Sequence, residues 1–290
     1  MTEAVGIDVG GTKMLGVVVS EGGVVVRTAR RPTPSVAALL DDIAELVAEL
    51  GGDGPVGIGI AGMVTREGVV RSSPNLPGVV DLDVKRRVES ITGRRVEVDN
   101  DATCALAAEW RGGAAVGARD AWLVTLGTGI GGGVVAGGAI QRGGQGFAGE
   151  IGHMIVVRDG VPCPCGRRGC WERYASGTAL GQMANDDLHS SPPRPNVLER
   201  ARAGEDSARA VVAEWIEWVA LGVSNLVNAT DPEVVILGGG AGSHADVAMA
   251  VSVALDRHLY APSHRQVPRI VPARCGEHAG AIGSALLARE

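Results

Sequence analysis

Four residues in one short stretch have the right types and spacing to hold a metal. Cys163, Cys165 and Cys170 fall within eight residues of one another, and His153 lies ten residues before the first. Three thiolates and one imidazole complete a tetrahedral Cys3His set. That set suits structural zinc and leaves no open coordination position for catalysis. The competing reading is buried thiols or a disulfide, but a bridge between Cys163 and Cys165, two residues apart, would be strained. Pro162, Pro164, Gly166 and Gly169 supply the tight turns that a metal-wrapping loop needs. Glu150 and His153 form a Glu-x-x-His pair, and Glu172 follows the last cysteine by two. With one ring nitrogen of His153 on zinc and the other turned elsewhere, Glu150, His153 and Glu172 can build a rigid polar pocket floor.

The best general base in the sequence is Asp101, in the run Asp99-Asn100-Asp101 at a strand end just before a helix. Either Asn100 or Asp101 has the chemistry of a helix N-cap. If Asn100 takes that role, Asp101 is free.

Two glycine turns offer backbone N–H groups to phosphate. Gly10-Gly11-Thr12-Lys13 follows a strand carrying Asp8. It is a near miss for a Walker A loop, because the Thr-Lys order is reversed and a strand follows where a helix is required. Asp8, in an otherwise apolar strand, suits Mg²⁺ held through water, with turn-capping as the alternative. Gly127, Gly129 and Gly132 satisfy G-x-G-x-x-G, but another strand follows, so a dinucleotide fold is rejected in favour of a second phosphate loop with Thr128 as a hydroxyl donor. Gly238-Gly239-Gly240, between a strand and a helix, lets a base or ribose approach bare backbone, or is a plain tight turn.

The elements that position these groups follow from periodicity. Residues 4–9, 14–19 and 24–28 read as an antiparallel meander. A helix is expected over 36–50, with Ser35 as N-cap and Gly51 as its stop. Strands are expected at 56–60 and 95–98, a loop at 72–78, and helices at 84–91 and 102–110. Strands at 121–126 and 134–136 then repeat the strand–glycine turn–strand pattern, a weak internal duplication. A polar, proline-rich loop at 189–196 precedes a long helix at 207–229 with Trp215 and Trp218. A strand at 233–237, a helix at 244–259, a strand at 270–271 and a closing helix at 280–289 complete the sequence. Cys104 and Cys275 read as ordinary buried thiols.

The 290 residues carry a net charge of −6, which removes the basic footprint of a nucleic-acid binder. Hydrophobic residues make up 45 % and aromatics only 3 %, so the cores rest on Val, Ala, Leu and Ile. No charged-then-apolar segment opens the sequence, and the apolar helix near 211–227 carries Glu214 and Glu217. A cytoplasmic protein without membrane or nucleic-acid partners is therefore expected.

The motifs IDVGGTK (7–13), SPNLPG (73–78), VDNDATCALAAEW (98–110), LGTGIGGGVVAGGAIQRGGQGFAGEIGH (126–153), CPCGRRGCWERYASGTAL (163–180), VVILGGG (234–240) and AGAIGSALLA (279–288) resemble the ROK family of sugar kinases and regulators, and within it the bacterial glucokinases. The resemblance implies an α/β, actin-like, hexokinase-type (ribonuclease H-like) fold of two lobes with a central cleft. The lobes would be a small N-terminal α/β lobe over 1–102 and a larger one with the zinc loop over 103–275. A C-terminal helix, 276–290, would pack back on the small lobe. It implies ATP-dependent phosphorylation of a hexose, foremost glucose at its 6-hydroxyl, with Asp101 as the base. Asn75, Asn100, Asp101, Glu150, His153 and Glu172 would bind the sugar, and His153, Cys163, Cys165 and Cys170 the zinc. Asp8, Gly10, Gly11, Thr12, Lys13, Gly127, Thr128, Gly129, Gly238, Gly239 and Gly240 would hold Mg²⁺ and ATP, and the protein would be a homodimer or homotetramer. Alternatives are a kinase for N-acetylmannosamine, N-acetylglucosamine, mannose or fructose, or a non-catalytic sugar sensor. Val79 stands where many relatives carry an aromatic residue.

Overall fold

The computed structural model describes residues 3–185 and 196–290. The chain forms two compact units. The first comprises Met1–Gly117, Gly133–Gly149 and Arg274–Glu290; the second comprises Ala118–Gly132 and Glu150–Ala273. The boundary expected at 102 would cut a helix after its second residue; the first unit carries that helix whole, and the returning segment begins at Arg274.

In chain order the first stretch runs β1 (Ala4–Val9), β2 (Lys13–Val19), β3 (Val25–Pro32), α1 (Leu39–Leu50), β4 (Val56–Ile60), β5 (Met63–Val64), β6 (Val69–Ser72), β7 (Val80–Asp83), α2 (Val84–Thr92), β8 (Val96–Asn100) and α3 (Asp101–Gly112). Then come β9 (Ala121–Leu126), β10 (Ile130–Ala136), β11 (Ala139–Ile140), a 3-10 turn (Ile151–His153), α4 (Glu172–Ala175), α5 (Gly177–Met183), α6 (Val197–Arg202), α7 (Asp206–Thr230), β12 (Val234–Gly238), α8 (Gly239–Gly242), α9 (Ala245–Leu255), β13 (Arg269–Pro272) and α10 (Ala279–Leu287).

The first sheet has the order β3-β2-β1-β4-β8, with β1 antiparallel to β2 and parallel to β4. The second has the order β11-β10-β9-β12-β13, in which β9, β12 and β13 are parallel. The two orders match position for position, the structural counterpart of the repeated strand–turn–strand pattern. β1 and β4 are near-continuous apolar runs because both their faces are covered. Gly6 and Gly57 let α10 lie so close that a Cβ at either would strike the carbonyls of Ala281 and Ser284. On the first unit's main core side, Leu39, Ile43 and Leu46 of α1 join Val5, Ile7, Val9 and Ile58. Glu109, fully buried near the end of α3, accepts the N–H groups of Ala114, Arg274 and Cys275 at 2.7–2.8 Å. It thereby ties α3 to the returning C-terminal segment.

Several expectations are corrected. α1 starts at Leu39, and Ala38, without a side-chain cap, precedes it in place of Ser35; Gly51 does end it, at φ +70°. The three-stranded sheet β5-β6-β7 was not anticipated, because strands of two to four residues carry too little periodicity. Residues 189–195 of the expected loop lie outside the described residues; Asn196 caps α6, an unforeseen helix, through a capping box with Glu199. α7 is long and apolar enough to cross a bilayer on composition, but Trp215, Ile216, Val219 and Val223 are buried, as in a core helix. Cys104 is buried, whereas Cys275 is half-buried; burial and the neighbouring Glu109 push its thiol up to about 12.

Candidate functional site

Each unit carries part of the expected site. In the first unit, Asn100 resolves the choice of cap. Its Oδ1 accepts the N–H groups of Ala102 at 2.9 Å and Thr103 at 3.2 Å, and its Nδ2 donates to the Gly62 carbonyl at 3.1 Å. Asp101 is left as the first residue of α3, its Oδ1 accepting the Ala102 N–H at 2.9 Å. Burial raises the Asp101 carboxyl above the ordinary range, against the lowering effect of those backbone donors. Asp8, in β1, is raised to about 7, first by burial and then by the charge of Asp101, with Lys13 opposing. A carboxylate whose ionisation is opposed by burial and by the Asp101 charge is a donor that a hard cation would relieve, so Asp8 fits Mg²⁺. A Cβ at Gly280, in the first turn of α10, would lie 2.7 Å from the Asp8 carboxyl carbon.

The turn Gly10–Lys13 is closed by the Gly10 N–H on the Lys13 carbonyl at 3.0 Å. The Thr33 hydroxyl donates to the Gly10 carbonyl at 2.7 Å. Gly11, Thr12 and Lys13 are exposed. Lys13 is engaged by Glu277 at 3.2 Å. Asn75 is exposed, and its backbone carbonyl lies 2.8 Å from where a Gly11 Cβ would sit. Val79 is buried in the first core.

Sequence reasoning missed the support beneath the Asp99-Asn100-Asp101 turn. Asp99 accepts from Arg142 Nε at 2.6 Å and from the Asn100 N–H at 2.9 Å. Arg66 Nε holds the Gly143 carbonyl at 2.8 Å. Asp99, Arg142 and Arg66 line a cavity of about 280 Å³ with Glu97, Cys104 and Glu290. An arginine and an aspartate this far apart in sequence give no local signal; the one clue was a carboxylate inside a buried strand.

In the second unit, Glu150 precedes the 3-10 turn Ile151–His153 and its carbonyl accepts the His153 N–H at 3.2 Å, so Glu-x-x-His is one tight turn. His153, Cys163, Cys165 and Cys170 bring four ligand atoms within 4.8 Å of one another. His153 Nδ1 is 3.8 Å from Cys163 Sγ, and Cys165 Sγ is 3.6 Å from Cys170 Sγ. A tetrahedron with Zn–S near 2.3 Å has edges of about 3.8 Å, so the thiol cluster fits zinc. Nδ1 faces the thiols, which leaves Nε2 for another partner.

The turn Gly127-Thr128-Gly129 is closed by the Gly127 N–H on the Gly129 carbonyl at 3.0 Å, with Thr128 exposed. Glu172 Oε2 accepts the Ile130 N–H at 3.0 Å, so this carboxylate meets the glycine turn directly. Gly238 is buried as the N-cap of α8, and Gly239, at φ +75°, packs where a Cβ would lie 2.7 Å from the Leu126 carbonyl. Close packing therefore accounts for Gly239, while Gly240 is exposed with open space around it.

The family model of the ROK family matches residues 4–290. The glucokinase of Streptomyces coelicolor is 36 % identical, covering 99 % of this chain and 97 % of that protein. The N-acetyl-D-glucosamine kinase of Escherichia coli O157:H7 is 33 % identical, over 97 % and 98 % respectively. Among solved structures, a ROK family glucokinase from Streptomyces griseus in complex with glucose and AMPPNP has a TM-score of 0.86 and 35 % identity, covering 99 % of both chains.

Proposed function

Because the chain belongs to the ROK family and is an ATP-dependent sugar kinase, we propose that it transfers the γ-phosphoryl group of ATP to the 6-hydroxyl of glucose, with Asp101 as general base. The fold is of the actin-like, hexokinase type. The observation that carries the assignment of the base is the division of labour at the start of α3. Asn100 caps the helix, and the next carboxylate is held at its first residue, half-buried, where desolvation raises its basicity.

Asp101 accepts the hydroxyl proton as the sugar oxygen attacks phosphorus in line. Lys13 and the N–H groups of Gly11, Thr12, Thr128 and Gly129 are the proposed phosphate donors, since positioning and electrostatics dominate phosphoryl transfer. Asp8 would hold the Mg²⁺ that comes with ATP, through water, and that ion would supply charge neutralisation. Asn75, Asn100, Glu150, His153 and Glu172 are the proposed hydroxyl-binding set. Asn100 keeps one amide hydrogen for a sugar oxygen after donating the other to Gly62. Zinc on His153, Cys163, Cys165 and Cys170 would fix the imidazole and the start of α4. Gly238-Gly239-Gly240 is proposed as the neighbour of the nucleotide base or ribose. A cytoplasmic homodimer or homotetramer is proposed from the resemblance, to be checked by sedimentation.

The test is ADP production with ATP and Mg²⁺ across glucose, mannose, fructose, N-acetylglucosamine and N-acetylmannosamine, with Asp101→Ala beside wild type. Asp101→Ala should lower kcat by about 10²–10⁴-fold while glucose binding persists; wild-type turnover would sink the assignment. A second reading, N-acetylglucosamine phosphorylation, is favoured by the full-length similarity to the Escherichia coli kinase. Preference for that sugar in the panel would move the substrate and keep the mechanism.

A further inference from the structure

Both arms of the thiol loop end on the glycine turn that follows β9. Before the loop, Gly152, adjacent to His153, lies so close to Ile130 that a Cβ there would collide with the Ile130 carbonyl. After it, Glu172, two residues past Cys170, accepts the Ile130 N–H at 3.0 Å, and any side chain at Gly129 would run into the same carboxylate oxygen. Gly177 then donates its N–H to the Gly127 carbonyl at 2.8 Å. Between the cysteine and the carboxylate, Trp171 is fully buried. Its amide N–H is bonded to the Met154 carbonyl and its indole N–H to the Trp218 carbonyl, both at 2.8 Å. Cys170-Trp171-Glu172 is thus a short, pinned link.

The turn needs such a brace. From Gly127 to Gly133 the sequence is GTGIGGG, and glycine loses more backbone freedom on ordering than any other residue. No charged side chain lies between Ala121 and Gln141 to fix it from within. A turn already ordered by Glu172 leaves that entropy out of the cost of ligand binding.

We propose that Glu172 is a positioning residue for the 127–130 turn, through which the Cys3His cluster governs nucleotide affinity as well as sugar affinity. The proposal rests on the reading that this turn holds nucleotide phosphate. Its reach differs from the sugar contact already proposed for Glu172, because it acts when no sugar is present.

The experiment is calorimetric titration of the zinc-loaded protein with AMPPNP and Mg²⁺ in the absence of sugar. It compares wild type, Glu172→Ala, Glu172→Gln, Thr128→Ala and Cys165→Ser, with circular dichroism and melting to confirm folding. Glu172→Ala should weaken AMPPNP binding about ten-fold, the loss of one charge-assisted backbone hydrogen bond. Glu172→Gln keeps an oxygen that accepts the same N–H and should stay within about three-fold of wild type. Cys165→Ser should follow Glu172→Ala; if it does not fold, the two Glu172 variants decide alone. If Glu172→Ala binds AMPPNP as wild type does while Thr128→Ala binds more weakly, the brace is refuted and the phosphate turn stands. If both bind as wild type, the phosphate reading of the turn fails and the brace with it. A Glu172→Gln variant as weak as Glu172→Ala also overturns the backbone-acceptor role.

Discussion

The two glycine turns read alike in sequence and are built differently. Gly10–Lys13 is braced from its own sheet, by the Gly10–Lys13 backbone bond and by Thr33 of the segment following β3. Charge comes from its immediate neighbours, Asp8 in β1 and Lys13 at the start of β2. Gly127–Ile130 has no charge of its own and, beyond its Gly127–Gly129 backbone bond, takes its brace from Glu172 and Gly177, more than forty residues downstream. A repeated strand–turn–strand pattern thus fixes the path of the backbone, whereas the source of rigidity and charge is chosen separately in each copy.

Asp8→Asn tests the self-contained turn most severely. Removing its charge should lower kcat by about 10²-fold or more at fixed Mg²⁺, leaving zinc content unchanged by elemental analysis. The same variant has a pH signature. Asp8 ionises near 7 in the folded chain and near 3.8 when unfolded, so between those values the folded state binds more protons. Its contribution to stability therefore falls as pH rises from about 4 to 7. The melting temperature of Asp8→Asn should gain on wild type across that window, and parallel curves would show that Asp8 carries no such burden.

Gly129→Ala and Gly127→Ala sharpen the contrast on the other turn. The first places a methyl on Glu172 and should weaken AMPPNP binding about ten-fold. The second meets open space and should change it by no more than about two-fold. Equal losses would mean that the turn, not its brace, sets affinity.

Glu277→Ala should have the smallest effect. Its pairs with Lys13 and Arg30, at 3.2 and 2.8 Å, are about half exposed, and such pairs contribute about 0–1 kcal/mol. The KM for ATP should move by at most about two-fold. A ten-fold change would show that the first turn also depends on an outside brace, and the comparison would dissolve.

What was legible in the sequence was local. The choice between Asn100 and Asp101 as cap could be posed because helix starts have their own chemistry, and the Cys3His set because its members lie within eighteen residues. Gly51 could be identified as a stop from its position after an apolar helical run. The contacts that sequence reasoning did not find join distant segments: Arg142 on Asp99, Glu109 on Arg274 and Cys275, Glu172 on Ile130, and Gly280 beside Asp8. None alters a local pattern, since a surface carboxylate and a bridging one look the same in a string of letters. The short sheet β5-β6-β7 escaped for a different reason, its strands of two to four residues being too short to show a reliable alternation.

The return of residues 274–290 to the first unit has a consequence for how the protein is made. β1 leaves the ribosome well before α10, the helix that covers Ala4, Val17 and Val19. Until α10 emerges, the first sheet therefore has one apolar face without its permanent cover, open to chaperones or to neighbouring nascent chains. The second unit, complete at Ala273, can close while the first still waits for its final helix.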